Sequence, residues 1–216
     1  MFGLSGSEWY FLLKGMGWTV ALSAMGMAGG AVFGLAVAFL RTAPQPWLQR
    51  LTAGYIAVFQ GTPLLMQLFV TYYGLALVGL NLDAWQAVAI GFTLNASAFL
   101  GEIWRGAVES IPRGQSEAAR ALGLHYMARM RLVIMPQAFK VSLPATVGLL
   151  VQLIKGTSLA AIVGFTELAR SGSIISNQNF RPLLVYAIVG ALYFALCWPL
   201  SLYGSRLEAK LARGAR

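Results

Sequence analysis

The sequence predicts an all-α, polytopic membrane protein with about five transmembrane helices and a short helix in a cytoplasmic loop. Three observations lead there. Of 216 residues, 58% are apolar, and the mean hydropathy is +0.68, well beyond what a water-soluble domain carries. The apolar residues gather into five segments, each long enough to cross a bilayer. A single long polar interval, 112–136, separates them and carries helix punctuation of its own. One membrane domain spanning 1–216 is expected, with the polar loop at about 109–137.

The first apolar segment runs from about residue 9 or 18 to 40. Its Gly26, Gly30 and Gly34 recur every four residues, so they line one helix face and permit close approach of another helix. Pro44 and Pro46 fit a short turn after it. The second segment, 54–80, is interrupted near its beginning by Gln60-Gly61-Thr62-Pro63. Such a break strands backbone groups at membrane depth, so it must be covered by protein or line a cavity. A structural kink and a place beside a translocation path both satisfy that requirement. The remaining segments are 85–108, 138–165 and 183–204.

Within the polar interval, 115–122 reads as a short helix rich in strong helix formers, Ala118, Ala119, Ala121 and Leu122. Glu117 is spaced to pair with Arg113 and Arg120 on one face. Gly123 stands where a left-handed capping residue is wanted. A second helical piece follows from about Tyr126 to Pro136. Small alanines on a polar helix suit insertion into the cleft of a partner, as against an ordinary solvated loop.

Charge sets the orientation. The chain has 16 Lys and Arg residues, 7 Asp and Glu, and a net charge of +9. Twelve of the cations lie on one side of the five spans: Arg41 and Arg50 after the first, Arg105 to Lys140 around the polar loop, and Arg206 to Arg216 in the tail. Lys14, Arg170 and Arg181 lie on the other side, and Lys155 is inside the fourth span. The positive-inside rule then puts the N-terminus outside and both the C-terminus and the Glu117 helix in the cytoplasm. The same rule accounts for the basic balance without nucleic acid, for which no module is visible.

Several chemistries are excluded. GMAGGAVFG lacks the Gly-Lys-Ser/Thr ending of a phosphate-binding loop. One His, one Cys and scattered carboxylates supply no clustered metal ligands, and the lone His125 in the polar loop argues against a Ser-His-acid site. Cys197 alone forms no intramolecular disulfide, and Met1 to Ser7 lacks the basic start of a cleavable signal. What remains are polar residues within spans: Gln67, Asn95, Gln152 and Lys155, with Glu102 nearer the cytoplasmic end of its span. Such residues face a bundle interior or a cavity. Glu8, Asp83 and Glu167 read as lying near the outer side, leaving no carboxylate in mid-span.

Glu117-Ala118-Ala119, three residues, Gly123, nine residues, then Val133-Ile134-Met135-Pro136 resembles the EAA loop of ABC-importer permeases. The usual ending is Ile-x-Leu-Pro. GTPLLMQLFVTYYG (61–74), EIWRGAVESIPRGQ (102–115), PQAFKVSLP (136–144) and LIKGTSLAAIVG (153–164) extend the similarity over most of the chain. Together they resemble the polar-amino-acid branch, which usually has Arg where this chain has Gln60. The resemblance implies a type I permease fold and ATPase coupling through Glu117, Ala118, Ala119 and Gly123. It implies substrate-facing positions at Gln67, Asn95, Phe99 and Leu149, although relatives commonly carry a polar pair where this chain has Gly148-Leu149.

The implied role is the membrane subunit of a bacterial ABC importer in the inner membrane, moving an amino acid. The implied partners are two ATPase subunits, which would bind the ATP and Mg, an extracytoplasmic binding protein, a second permease protomer and membrane lipid; this chain itself would be no enzyme and hold no cofactor. The absence of a mid-span carboxylate favours a neutral or acidic substrate over a basic one. The alternatives are a permease for another small solute, a non-ABC channel or carrier, and an intramembrane enzyme.

Overall fold

The structure, a computed structural model, describes residues 3–42 and 45–214. Pro44 and Arg216, used in the sequence reading, lie outside them. Among the described residues the elements are helical throughout: α1 (Gly6–Arg41), α2 (Pro46–Gly61), α3 (Leu64–Phe69), α4 (Leu75–Leu77), α5 (Ala84–Glu109), α6 (Arg113–Ala121), α7 (Tyr126–Arg129), α8 (Met135–Gly156), α9 (Leu168–Asn179) and α10 (Pro182–Gly214). Four helical stretches are long and apolar enough to cross a membrane, and α2 with α3–α4 makes a fifth if that bent pair counts as one span.

The glycine ladder of α1 packs onto α5. A Cβ at Gly26 would lie 2.6 Å from that of Phe92, one at Gly30 2.4 Å from that of Ala96, and one at Gly34 3.0 Å from that of Leu100. Residue numbers rise together along both helices, so α1 and α5 run parallel. Their contact needs the glycines because the backbones approach closer than two side chains allow. Phe92, Ala96 and Leu100 continue into a core with Leu22, Leu68, Val88, Leu149 and Leu153. A second core joins Leu12 of α1, Leu168 and Ile175 of α9, and Val185 and Val189 of α10.

The second predicted span is not straight. α2 and α3 meet at 106°. Thr62 is extended, with φ −115° and ψ 143°, as expected of the residue before a proline, and Pro63 has no N–H with which to continue α2. Further on, Val70–Gly74 is a π turn between α3 and α4.

The fourth predicted span is longer than its apolar core. Tyr126 to Ala161 is one helical stretch, so the piece expected to stop at Pro136 runs directly into the membrane. A π turn over Met130–Ile134 precedes Pro136. The widened turn fits a proline that cannot make the ordinary i→i−4 bond.

Candidate functional site: a polar break in the membrane and a projecting helix

The break between α2 and α3 is held by the two amides singled out in the sequence. Gln67 Nε2 donates to the Phe59 carbonyl at 2.8 Å, the Thr62 carbonyl at 3.1 Å and Thr62 Oγ1 at 3.0 Å. Asn95 of α5 donates from Nδ2 to Gln67 Oε1 at 2.9 Å. Both side chains are buried. Gln67 thus supplies donors to carbonyls that the interrupted helix leaves open. The pair acts as a clasp on the break, and Gln60, Gly61, Thr62 and Pro63 lie exposed beside it.

Two other expected pathway positions fall differently. Leu149 is 3% exposed and belongs to the central core. Phe99 is half-buried against the same core. From Val141 to the end of α8 the exposed positions are Val141, Ala145, Gly148, Gln152 and Lys155. At 100° per residue they form one stripe, and Leu149 sits off it. Gly148 holds the open position, with nothing within 4 Å of a Cβ placed there. A Cβ on Gly156 would meet Leu64 Cδ2 at 3.0 Å, so the C-terminal end of α8 adjoins the start of α3. No hydrogen-bond or ion-pair partner from within the chain reaches the Lys155 ammonium among the described residues.

Glu167 has a role that the sequence reading did not assign. It is 0% exposed and caps α9, accepting from the Ala169 and Arg170 backbone N–H groups at 2.9 Å each. Its Oε2 also accepts from Tyr193 Oη at 2.7 Å and Thr19 Oγ1 at 3.3 Å. Thr19 lies about 20 Å along α1 from Gly6 at the usual helical rise. The pairing of Gly26 with Phe92 and of Gly30 with Ala96 puts Thr19 level with Trp85 at the start of α5, so Glu167 is sealed in protein close to the level of Asp83, as the sequence reading grouped them. α9 folds back along α1: its far end meets the start of α1, where Asn179 Nδ2 donates to Glu8 Oε1 at 3.0 Å. A helix-capping carboxylate after Gly164, whose φ is +85°, was the signal available in the sequence.

At the opposite end of the molecule, α6 projects between α5 and α7. Its C-terminus is a Schellman turn: Gly123 N–H donates to the Arg120 carbonyl at 2.8 Å and Leu124 N–H to the Ala119 carbonyl at 3.0 Å, with Gly123 at φ +76°. Glu117, Ala118 and Gly123 are exposed, whereas Ala119 is buried against the rest of the loop. Leu122, Tyr126 and Met127 add a largely exposed apolar surface beside them. The expected ion pairs of Glu117 with Arg113 and Arg120 do not form among the described residues. Arg105 instead bridges Glu102 and Glu109 at the end of α5.

Residues 30–213 match the family described as the binding-protein-dependent transport system inner membrane component. The probable amino-acid ABC transporter permease protein YckA of Bacillus subtilis is 36% identical, over 94% of this chain and 89% of that one. The glutamine transport system permease protein GlnP of Escherichia coli K12 is 35% identical, over 93% and 92%. In a crystal structure of an amino acid ABC transporter with histidines, one chain superposes with a TM-score of 0.87 at 32% identity, covering 93% of this chain and 94% of that one.

Proposed function

The chain belongs to the binding-protein-dependent transport system inner membrane components, as a multi-pass permease subunit of an amino-acid ABC importer, and from that premise we propose how it works. Two such subunits, identical or not, enclose one path. ATPase subunits in the cytoplasm bind ATP and Mg and grip α6. A binding protein delivers the amino acid from the outer side, and closure of the ATPases moves the α6 helices and turns the path outward. ATP hydrolysis is the partner's work, and coupling passes through α6 without contact between substrate and ATPase.

The observation that carries this reading is α6 itself: a capped helix standing clear of the spans, with Glu117 and Ala118 exposed and an apolar surface at Leu122, Tyr126 and Met127. Ala119 anchors the helix from behind, and Gly123 sets the turn that presents it. The positive-inside distribution supports an outside N-terminus and a cytoplasmic C-terminus. Gln67 and Asn95 shape the path by holding its broken helix.

A neutral or acidic amino acid remains the better-supported substrate class. The buried carboxylate, Glu167, is sealed and fully engaged by donors, so it offers nothing to a cationic side chain. The test is ATP-dependent uptake in proteoliposomes holding this chain as the only permease subunit, with its ATPase and binding protein. Labelled glutamine and glutamate, but not arginine or lysine, are the expected cargo. Robust arginine or lysine uptake would overturn the charge argument, and uptake without ATP would overturn the ABC coupling.

A further inference from the structure

The last helix outruns the bilayer. α10 has 33 residues, about 50 Å at the helical rise, against a hydrocarbon layer of roughly 30 Å. Residues 182–205 carry no charge, and 206–213 then bring Arg206, Glu208, Lys210 and Arg213. From Gly204 to Leu211 the helix stays against α8. A Cβ on Gly204 would meet Val147 Cγ1 at 3.4 Å, and Leu211 lines a groove with Val141 and Pro144. The charged end is thus held in place where α10 leaves the hydrocarbon.

Its charges are sorted by face. At 100° per residue, Arg206, Lys210 and Arg213 fall within about 60° of one another, while Glu208 lies on the far side of the helix, in the groove with α8. All three cations are exposed, and the ion pairs among the described residues belong to Arg105, not to them. Tyr203, 56% exposed, stands one turn before Arg206 on the same face. Pro199 and Ala195, also exposed, continue that face toward the membrane centre. The result is an apolar column ending in three cations. A soluble acidic protein would meet the cations and leave the column bare. An amphiphile with an anionic head covers both.

We propose that this face of α10 is a binding site for an anionic phospholipid, with an acyl chain along Ala195, Pro199 and Tyr203 and the phosphate among Arg206, Lys210 and Arg213. Two guanidinium groups and an ammonium supply charge-assisted hydrogen bonds to the phosphate oxygens. Their long stems follow the apolar surface while the charged ends reach the headgroup layer. No acid on this face rewards a headgroup ammonium, so a lipid of net negative charge is preferred to a zwitterionic one. The preference is about fivefold for each cation near the surface, and it declines with salt.

The experiment uses the complete complex in vesicles of equal parts phosphatidylglycerol and phosphatidylethanolamine, with one lipid or the other radiolabelled. The photocross-linker p-benzoylphenylalanine replaces Ala209, an exposed residue beside the stripe. Phosphatidylglycerol should be captured at least about fivefold over phosphatidylethanolamine, and about 1 M NaCl should bring the ratio near one. Arg206→Gln, Lys210→Gln and Arg213→Gln together should do the same at low salt. Arg206→Lys with Arg213→Lys, which keeps the charge, should keep the preference. Equal capture of the two lipids beside the unaltered stripe at low salt, or capture of neither, would overturn the site. So would a preference that survives the salt or the triple Gln change. Capture of the ATPase in place of lipid would give the stripe to that partner and overturn the site as well.

Discussion

Asn95 donates to Gln67 at 2.9 Å, and Gln67 donates onward to the Phe59 carbonyl at 2.8 Å. One inter-helix contact thereby ties α5 to the end of α2, across the point where the second span breaks. In the sequence the two amides read as in-span polar residues facing a bundle interior or a cavity. In three dimensions their hydrogen bonds go to the protein, and they fix the geometry of the break.

Replacing Asn95 with Leu should therefore act through stability. It leaves Gln67 Oε1 buried without that donor, a cost of about 1–3 kcal/mol. Gln67→Leu should cost a similar amount, because it leaves the Phe59 and Thr62 carbonyls without their side-chain donor. The double variant should be less destabilised than the sum of the two, since the members of a shared network are coupled. Thermal unfolding of the purified protein in detergent measures all three. Strict additivity would mean that the clasp does not act as a unit.

Packing of α1 on α5 gives a second expectation. A side chain at Gly30 must displace Ala96, whose Cβ would be 2.4 Å away. Gly30→Val should destabilise by about 1–3 kcal/mol through overpacking, and Ala96→Gly should recover part of the loss. Gly17, on the same helix with nothing within 4 Å of an added Cβ, should accept Ala at no cost. Equal behaviour of Gly17→Ala and Gly30→Val in detergent thermostability would refute the close parallel contact.

Glu167→Gln preserves size and removes one acceptor. The carboxylate takes donors on both oxygens, from Arg170 on Oε1 and from Ala169, Thr19 and Tyr193 on Oε2. An amide must turn its own N–H groups toward some of them. The expected loss is about 1.5–3 kcal/mol, the range for hydrogen bonds to a charged group. Tyr193→Phe removes one donor and should cost less. If Glu167→Gln melts with the unaltered protein, the network does not hold α9 between α1 and α10.

For α6, Gly123→Val places a β-branched residue at φ +76°, costing at least about 1–2 kcal/mol in local backbone energy, and should detach the ATPase by misplacing the helix. Ala118→Trp is the complementary change. Ala118 is exposed, so the permease should fold normally while docking is blocked by bulk. Co-purification of the ATPase with each variant is the measurement. Full retention with Ala118→Trp would exclude this face of α6 from the docking surface.

The sequence by itself determined the features that depend on near neighbours. Apolar runs gave the spans, because crossing a bilayer is a matter of local length and hydrophobicity. Gly123 and the alanines before it gave α6 and its capping turn, because a left-handed cap is a property of a few residues. Gly26, Gly30 and Gly34 gave a helix face made for close contact, and Thr62-Pro63 gave the break.

The tertiary structure decided what those features meet. It chose α5, running parallel, as the partner of the glycine face, and it set 106° at the break with Gln67 and Asn95 closed over it. It turned Leu149 into the core and left Gly148, Gln152 and Lys155 exposed on another face of α8. It sealed Glu167 under Thr19 and Tyr193, because α9 folds back along α1. Each of these outcomes depends on contacts between residues far apart in sequence, and local propensity carries no information about which distant surface will fill a given gap.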